Sequence, residues 1–195
     1  MALGPGRWLA AQLRLRLLAL DVSSVALGQQ VVEVGRPERA PSDLGIMLLQ
    51  ADAEQLPLGD QLVDAAICID SLQSADNAVL LLGELRRVLK RSAPVVVSCW
   101  RVREDASGVA RSVPARLERN IADAALSCGF VIEVTEVRAA DRAAELRLAH
   151  RALQLQQDGA LEDDEFLHRV ASEATWTLRN EDVFERILLV LRRAR

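Results

Sequence analysis

The sequence predicts an α/β domain built on a mostly parallel sheet, and three observations carry that reading. Short apolar runs alternate with helical patterns, as in chains assembled from βαβ units. Most of these runs are nearly continuous in apolar residues, which suits strands covered by helices on both faces. Three of them end on an aspartate, Asp21, Asp52 and Asp70. In open sheets of this kind, ligands bind outside the carboxyl ends of the strands.

Taken in order, Gly4-Pro5-Gly6 forms a glycine-rich turn ahead of a first candidate helix. Residues 15–21 (LRLLALD) then read as a strand, and 46–52 (IMLLQAD) repeat the pattern. Between them, Gly35 to Gly45 is a Pro/Gly-rich loop, too short to be a domain linker. Residues 63–70 (VDAAICID) give a third strand and 94–100 (PVVVSCW) a fourth. From 77 to 90, Ala78, Leu81, Leu82, Leu85, Val88 and Leu89 recur at helical spacing behind a cap at Asp76. From 114 to 128, Leu117, Ile121, Ala124, Ala125 and Cys128 make one helical face. Pro114 stands where a first turn tolerates it and Gly129 where a left-handed cap belongs. FVIEVTEV (130–137) alternates like a half-exposed strand, and polar helices follow at about 140–157 and 162–175. The chain closes with another strand at 184–191.

At 195 residues, half of them apolar, the chain suits a single domain with a sizeable core. The formal charge of −4 argues against a dedicated nucleic-acid binder. No apolar run approaches the roughly 18–20 residues that span a bilayer. Arginines interrupt the apolar stretch of the N-terminal segment, unlike a signal peptide. Cys68, Cys99 and Cys128 are odd in number and widely spaced, which reads as free thiols in a cytoplasmic, reducing setting. Cys68 and Cys99, inside apolar strand runs, are expected to be buried.

A Gly-x-Gly turn, a helix, and then a strand ending in Asp21 together suggest a nucleoside site. Free N–H groups at the glycine turn receive a ligand closely, and the carboxylate accepts bonds from both ribose hydroxyls. Spacing alone leaves a second reading open, an aspartate that caps the structure after it. Asp70 reads first as a helix-capping or solvated carboxylate, with a base at the pocket mouth as the other reading. Asp52 offers a cap for the Gln55 turn. The acidic run Glu162-Asp163-Asp164-Glu165 fans out around a helix axis and reads as a favourable helix start, not a metal site. His150 and His168 read as exposed helix residues.

ADAEQLPLGDQLVDAAICIDSL, followed by ELRRVLKR and VVVSCW, resembles the class I S-adenosylmethionine-dependent methyltransferases of the small-molecule type. The similarity runs from about residue 4 to 137. It implies a three-layer, Rossmann-like fold whose last strand runs antiparallel, with S-adenosyl-L-methionine as cofactor. By position, the resemblance puts Gly4 and Gly6 beside the methionine part of the cofactor and Asp21 on the ribose hydroxyls. Val22 would pack on the adenine, Asp52 would face its exocyclic amine with Ala53 beside it, and Ile69 would lie near the sulfonium.

The sequence departs from the family in several places. The family's first strand, central between its second and fourth, would precede Gly4, so either the natural protein starts upstream or this is an N-terminally truncated relative, with one strand edge unpaired or closed onto a neighbour. Val31–Val34 (VVEV) is a replacement strand only if it leaves its family role as helix. Arg91-Ser92-Ala93 replaces a Pro-Gly-Gly, and Gln73 and Ser74 stand where many members carry histidines. No general base announces itself, though methyl transfer needs chiefly alignment. The resulting expectation is one domain with a helical insertion at about 138–180. It would be a methyltransferase for a small-molecule acceptor, or alternatively an inactive methyltransferase-like binding partner or subunit. An oligomer or partner is expected over the exposed edge, with neither nucleic acid nor membrane bound.

Overall fold

The computed structural model describes residues 4–24, 45–106, 121–159 and 165–194. Helix α1 (Gly4–Leu13) leads into β1 (Leu17–Asp21), and β2 is Ile46–Gln50. β3 (Ala66–Ile69), α2 (Ala78–Val88) and β4 (Pro94–Val102) follow. After them come α3 (Ile121–Ser127), β5 (Phe130–Val137), α4 (Ala139–Gln157), α5 (Glu165–Arg179) and β6 (Phe184–Arg193). Among the described residues, no helix is long and apolar enough to cross a membrane.

The strands form two separate sheets. β1 and β2 pair in parallel, Leu17 opposite Ile46 through Asp21 opposite Gln50. The other four strands lie in the order β3-β4-β6-β5. β3 runs parallel to β4, whereas β6 is antiparallel to both β4 and β5. The expected α/β architecture with an antiparallel last strand is therefore present. Among the described strands, β1 hydrogen-bonds only to β2, and β3 only to β4.

Alternation along β4 and β6 builds the interior. Val95, Val97 and Cys99 on one strand and Leu189 and Leu191 on the other are fully buried. The α2 residues Leu81 and Leu82 close over them. Burying each leucine or valine contributes about 1.5–3 kcal/mol, so this sheet anchors the fold. Cys68 and Cys99 lie in that core, as their apolar runs predict. Burial pushes the Cys68 thiol up to about 11 and Cys99 up to about 12.

Several element boundaries need correction. Gly4 and Gly6 do not form a turn ahead of α1 but lie in its first turn, where Pro5 is tolerated. The strand read at 63–70 is shorter, because the amides of Gln61, Leu62 and Val63 bond to Arg87 and Val88 carbonyls at the end of α2. Val63 keeps only an isolated parallel bridge to Leu89. Asn77, not Asp76, caps α2, its side chain accepting from the amides of Val79 and Leu80 at 3.1 and 3.3 Å. Gly129 ends α3 with φ +75°, the left-handed cap its position suggests. Pro114, Leu117, Val31–Val34 and all but one residue of the acidic run 162–165 lie outside the described residues. Helices α4 and α5, which lie between β5 and β6 in chain order, pack on each other.

Candidate functional site

The carboxyl ends of β1 and β2 bring two of the expected residues together. Asp21 ends β1 opposite Gln50 of β2, and the Ala51 amide continues the ladder to the Asp21 carbonyl at 3.1 Å. Asp52 thus follows the neighbouring parallel strand by two residues. The Asp21 carboxylate accepts from the Ser23 amide at 2.9 Å, so it does form a local turn. Val22 beside it is 70% exposed, an apolar side chain left in water. Asp52 is exposed and accepts from the Glu54 amide at 2.8 Å, while the Gln55 amide reaches the Asp52 carbonyl at 3.1 Å. The Gln55-turn cap read from sequence is therefore real. It does not exclude a ligand, because a carboxylate has about four acceptor positions.

The loop after Asp52 is fastened from α2. Glu84 accepts from the Leu56 amide at 2.8 Å, and Arg87 donates to the Leu56 and Leu58 carbonyls at 2.9 and 2.6 Å. Glu54 holds the Asn77 amide at 2.7 Å. Both Glu84 and Arg87 belong to ELRRVLKR, so that motif's charges serve to hold the Asp52 loop. Ala53 packs against the main core. On the other side, Gly6 lies where an added Cβ would stand 3.2 Å from Leu17 Cδ2, so α1 approaches β1 closely through a glycine.

At the end of β3, Ile69 is half-buried, and Asp70 follows it with φ +54°. Asp70 is held by β6. Arg186 Nη2 lies 2.6 Å from both carboxylate oxygens, and Gln73 Nε2 donates to Oδ1 at 3.1 Å. Arg186 Nη1 also reaches Glu145 of α4 at 3.3 Å. Glu145 accepts from Trp100 Nε1 at 2.9 Å and from Arg142 Nη1 at 2.9 Å. Gln73 Oε1 in turn accepts the Trp100 amide at 2.9 Å. Burial lifts the Asp70 carboxyl above the ordinary aspartate value, with the Arg186 charge pulling the other way. Trp100 stacks on Trp176 of α5 at 5.6 Å, and Phe184 lies 6.0 Å from Trp100 and 5.4 Å from Trp176. Behind Arg186, a cavity of about 310 Å³ opens between α4 and β6, lined by Arg142, Leu146, Phe184 and Arg186 among others.

Arg186, Glu145 and Arg142 were not singled out by sequence. The available signals were an arginine inside the apolar run FERILLVLRR and an Arg-x-x-Glu pair at helical spacing in α4. His150 and His168 are exposed, as expected, and His150 Nδ1 lies 2.8 Å from the Leu146 carbonyl in its own helix.

Known proteins share this fold. Residues 1–97 match the family model of the methyltransferase domain. No curated protein matches the sequence. Among solved structures, the chain is similar to the (4+2)-cyclase SpnF, with TM-score 0.80 and 19% identity, covering 97% of this chain and 70% of that one. It is also similar to a phosphoethanolamine N-methyltransferase of Haemonchus contortus in complex with S-adenosyl-L-methionine. There the TM-score is 0.74 and the identity 16%, over 98% of this chain and 46% of the other. A geranyl diphosphate C-methyltransferase from Streptomyces coelicolor A3(2), bound to S-adenosyl-L-homocysteine, gives TM-score 0.61 and 13% identity over 98% and 67% of the two chains. Residues 1–97 thus match the methyltransferase domain, and the chain as a whole has the class I methyltransferase fold.

Proposed function

We propose that the protein is an S-adenosyl-L-methionine-dependent methyltransferase for a small-molecule acceptor. The observation that carries this reading is the placement of Asp21 at the carboxyl end of β1 and of Asp52 two residues beyond the end of the adjacent parallel strand β2, within the segment that matches the methyltransferase domain. Asp21 would take the ribose hydroxyls, Val22 the adenine face and Asp52 the exocyclic amine, with Ala53 beside it. Gly4 and Gly6 would line the methionine end, and Ile69 would stand near the sulfonium. The donor chemistry suits the group, since two carboxylates meet hydroxyls and an amine, and an exposed valine meets an apolar ring. The cofactor supplies an electrophilic methyl group, and the chain's part is to align a nucleophile with it. The pair α4–α5 would shape the acceptor side, because Glu145, Arg142 and Trp176 come from it.

A second reading, binding without methyl transfer, is favoured by one observation. SpnF, a structure of the same fold, is described as a cyclase, so the fold alone does not fix the reaction. Isothermal titration with S-adenosyl-L-methionine and S-adenosyl-L-homocysteine tests both readings. Binding of both ligands, followed by label transfer from a methyl-labelled cofactor to a small molecule, supports the enzyme. Binding without turnover across acceptor panels supports the second reading, and no binding at millimolar ligand removes the enzyme and leaves the inactive binding partner or subunit.

A further inference from the structure

Asp70 is built into the site more firmly than a solvated carboxylate needs. Its φ of +54° is a conformation that few residues other than glycine adopt, aspartate being among the more tolerant. Such conformations persist where the surroundings hold them, and they collect at functional sites. Here the holding group is Arg186, whose side chain is 12% exposed and whose other arm is fixed by Glu145. Asp70 itself remains 43% exposed. Its Oδ1 accepts from Arg186 and Gln73, but its Oδ2 accepts only from Arg186 among the described residues. A carboxylate oxygen has two acceptor positions, which leaves one on Oδ2 open at the carboxyl end of β3.

We propose that this open Oδ2 position receives the O–H or N–H of the acceptor's nucleophilic group, and that Arg186 is the positioning residue that fixes the direction of the carboxylate. The proposal rests on the methyltransferase reading above and adds that the acceptor is a hydrogen-bond-donating nucleophile, a hydroxyl or an amine. In the transfer, the nucleophile's lone pair forms the new bond to the methyl carbon. The carbon–sulfur bond breaks with its electron pair staying on sulfur, and the O–H or N–H proton passes to Asp70. Glu145 acts through Arg186, since its bonds to Arg186, Trp100 and Arg142 hold the guanidinium between β3 and α4.

The test needs no identified acceptor. Sinefungin carries an amine where the transferred methyl group stands, whereas S-adenosyl-L-homocysteine carries nothing there. A charge-assisted bond to Asp70 should make the protein bind sinefungin about tenfold tighter than S-adenosyl-L-homocysteine by calorimetry. Asp70→Asn should bring that ratio close to one. Arg186→Lys should keep part of it and Arg186→Gln lose most, with thermal melts confirming that each variant is folded. Should Asp70→Asn prove unstable, the two Arg186 variants carry the test. A ratio near one in the unaltered protein, or a ratio unchanged by these substitutions, overturns the proposal. Failure of the unaltered protein to bind S-adenosyl-L-homocysteine at all would overturn the methyltransferase reading, and this proposal with it.

Discussion

The two sheets of this protein differ in how much of each is interior. In the four-stranded sheet, β4 alternates between buried and half-buried residues, and Val95, Val97, Cys99, Leu189 and Leu191 have no exposure at all. In the two-stranded sheet, no residue of β1 or β2 is buried, and Met47 is 59% exposed. The residues proposed for cofactor recognition, Asp21 and Asp52, stand at the carboxyl edge of the second sheet, Asp52 two residues past β2. Asp70 and its Arg186 clamp stand on the first. The proposed site would thus draw on a half that is held by core packing and a half that is held by its own pairing, by α1 and by the tie between α2 and the 52–60 loop. Binding groups drawn from a less packed region are the ones whose order a ligand changes most.

Hydrogen exchange gives the largest contrast. Amides in β4 and β6 are expected to exchange at least about a hundredfold more slowly than those in β1 and β2, since local opening costs far less where little apolar surface is buried. Saturating S-adenosyl-L-homocysteine should narrow the gap by protecting β1 and β2. Equal protection of both sheets in the free protein would end the comparison.

Core truncation comes next. Leu189→Ala should cost about 2–5 kcal/mol in a urea titration, because it opens a cavity in packed interior. Leu18→Ala, at a half-buried position of β1, should cost less than about 2 kcal/mol. A larger loss at Leu18 would mean that the second sheet is the better packed of the two.

Asp21→Ala should weaken S-adenosyl-L-homocysteine binding at least about tenfold while leaving the melting temperature nearly unchanged. Bonds to a charged group are worth about 1.5–3 kcal/mol each, and about 1.4 kcal/mol is tenfold. Asp52→Ala should cost less, because water replaces a single amine contact. Calorimetry that finds the opposite order would move the adenosine toward β2.

The smallest effect concerns the tie between the Asp52 loop and α2. Hydrogen bonds from Arg87 hold the Glu84 carboxyl below its ordinary value, with the Leu56 amide adding to them. A lowered carboxylate value means that its stabilisation is present above the ordinary carboxylate range and is lost as pH falls through the lowered folded value. Glu84→Gln should therefore destabilise the protein at pH 7, and the difference from the unaltered chain should shrink in acid. A difference that stays constant from pH 7 to pH 3 would show that Glu84 contributes by packing alone.

The sequence by itself determined the elements and their order. Alternation in FVIEVTEV sets β5 at 130–137, and Gly129 sets the cap before it, because a period of two and a left-handed φ are written locally. Asp21 and Asp52 were legible as strand-end carboxylates for the same reason, since each follows its own apolar run directly. The resemblance in ELRRVLKR was legible too, but not that its Glu84 and Arg87 would hold the Asp52 loop. Only the tertiary structure decided that the strands fall into two sheets, because which edges pair depends on strands distant in the chain. It also decided the company Asp70 keeps. Arg186 lies 116 residues from it, and Glu145 lies 41 residues from Arg186. Their meeting requires the antiparallel course of β6 beside β4 and the return of α4 over the sheet. No local spacing encodes such a contact, since it is fixed by the packing of elements and not by the periodicity within any one of them.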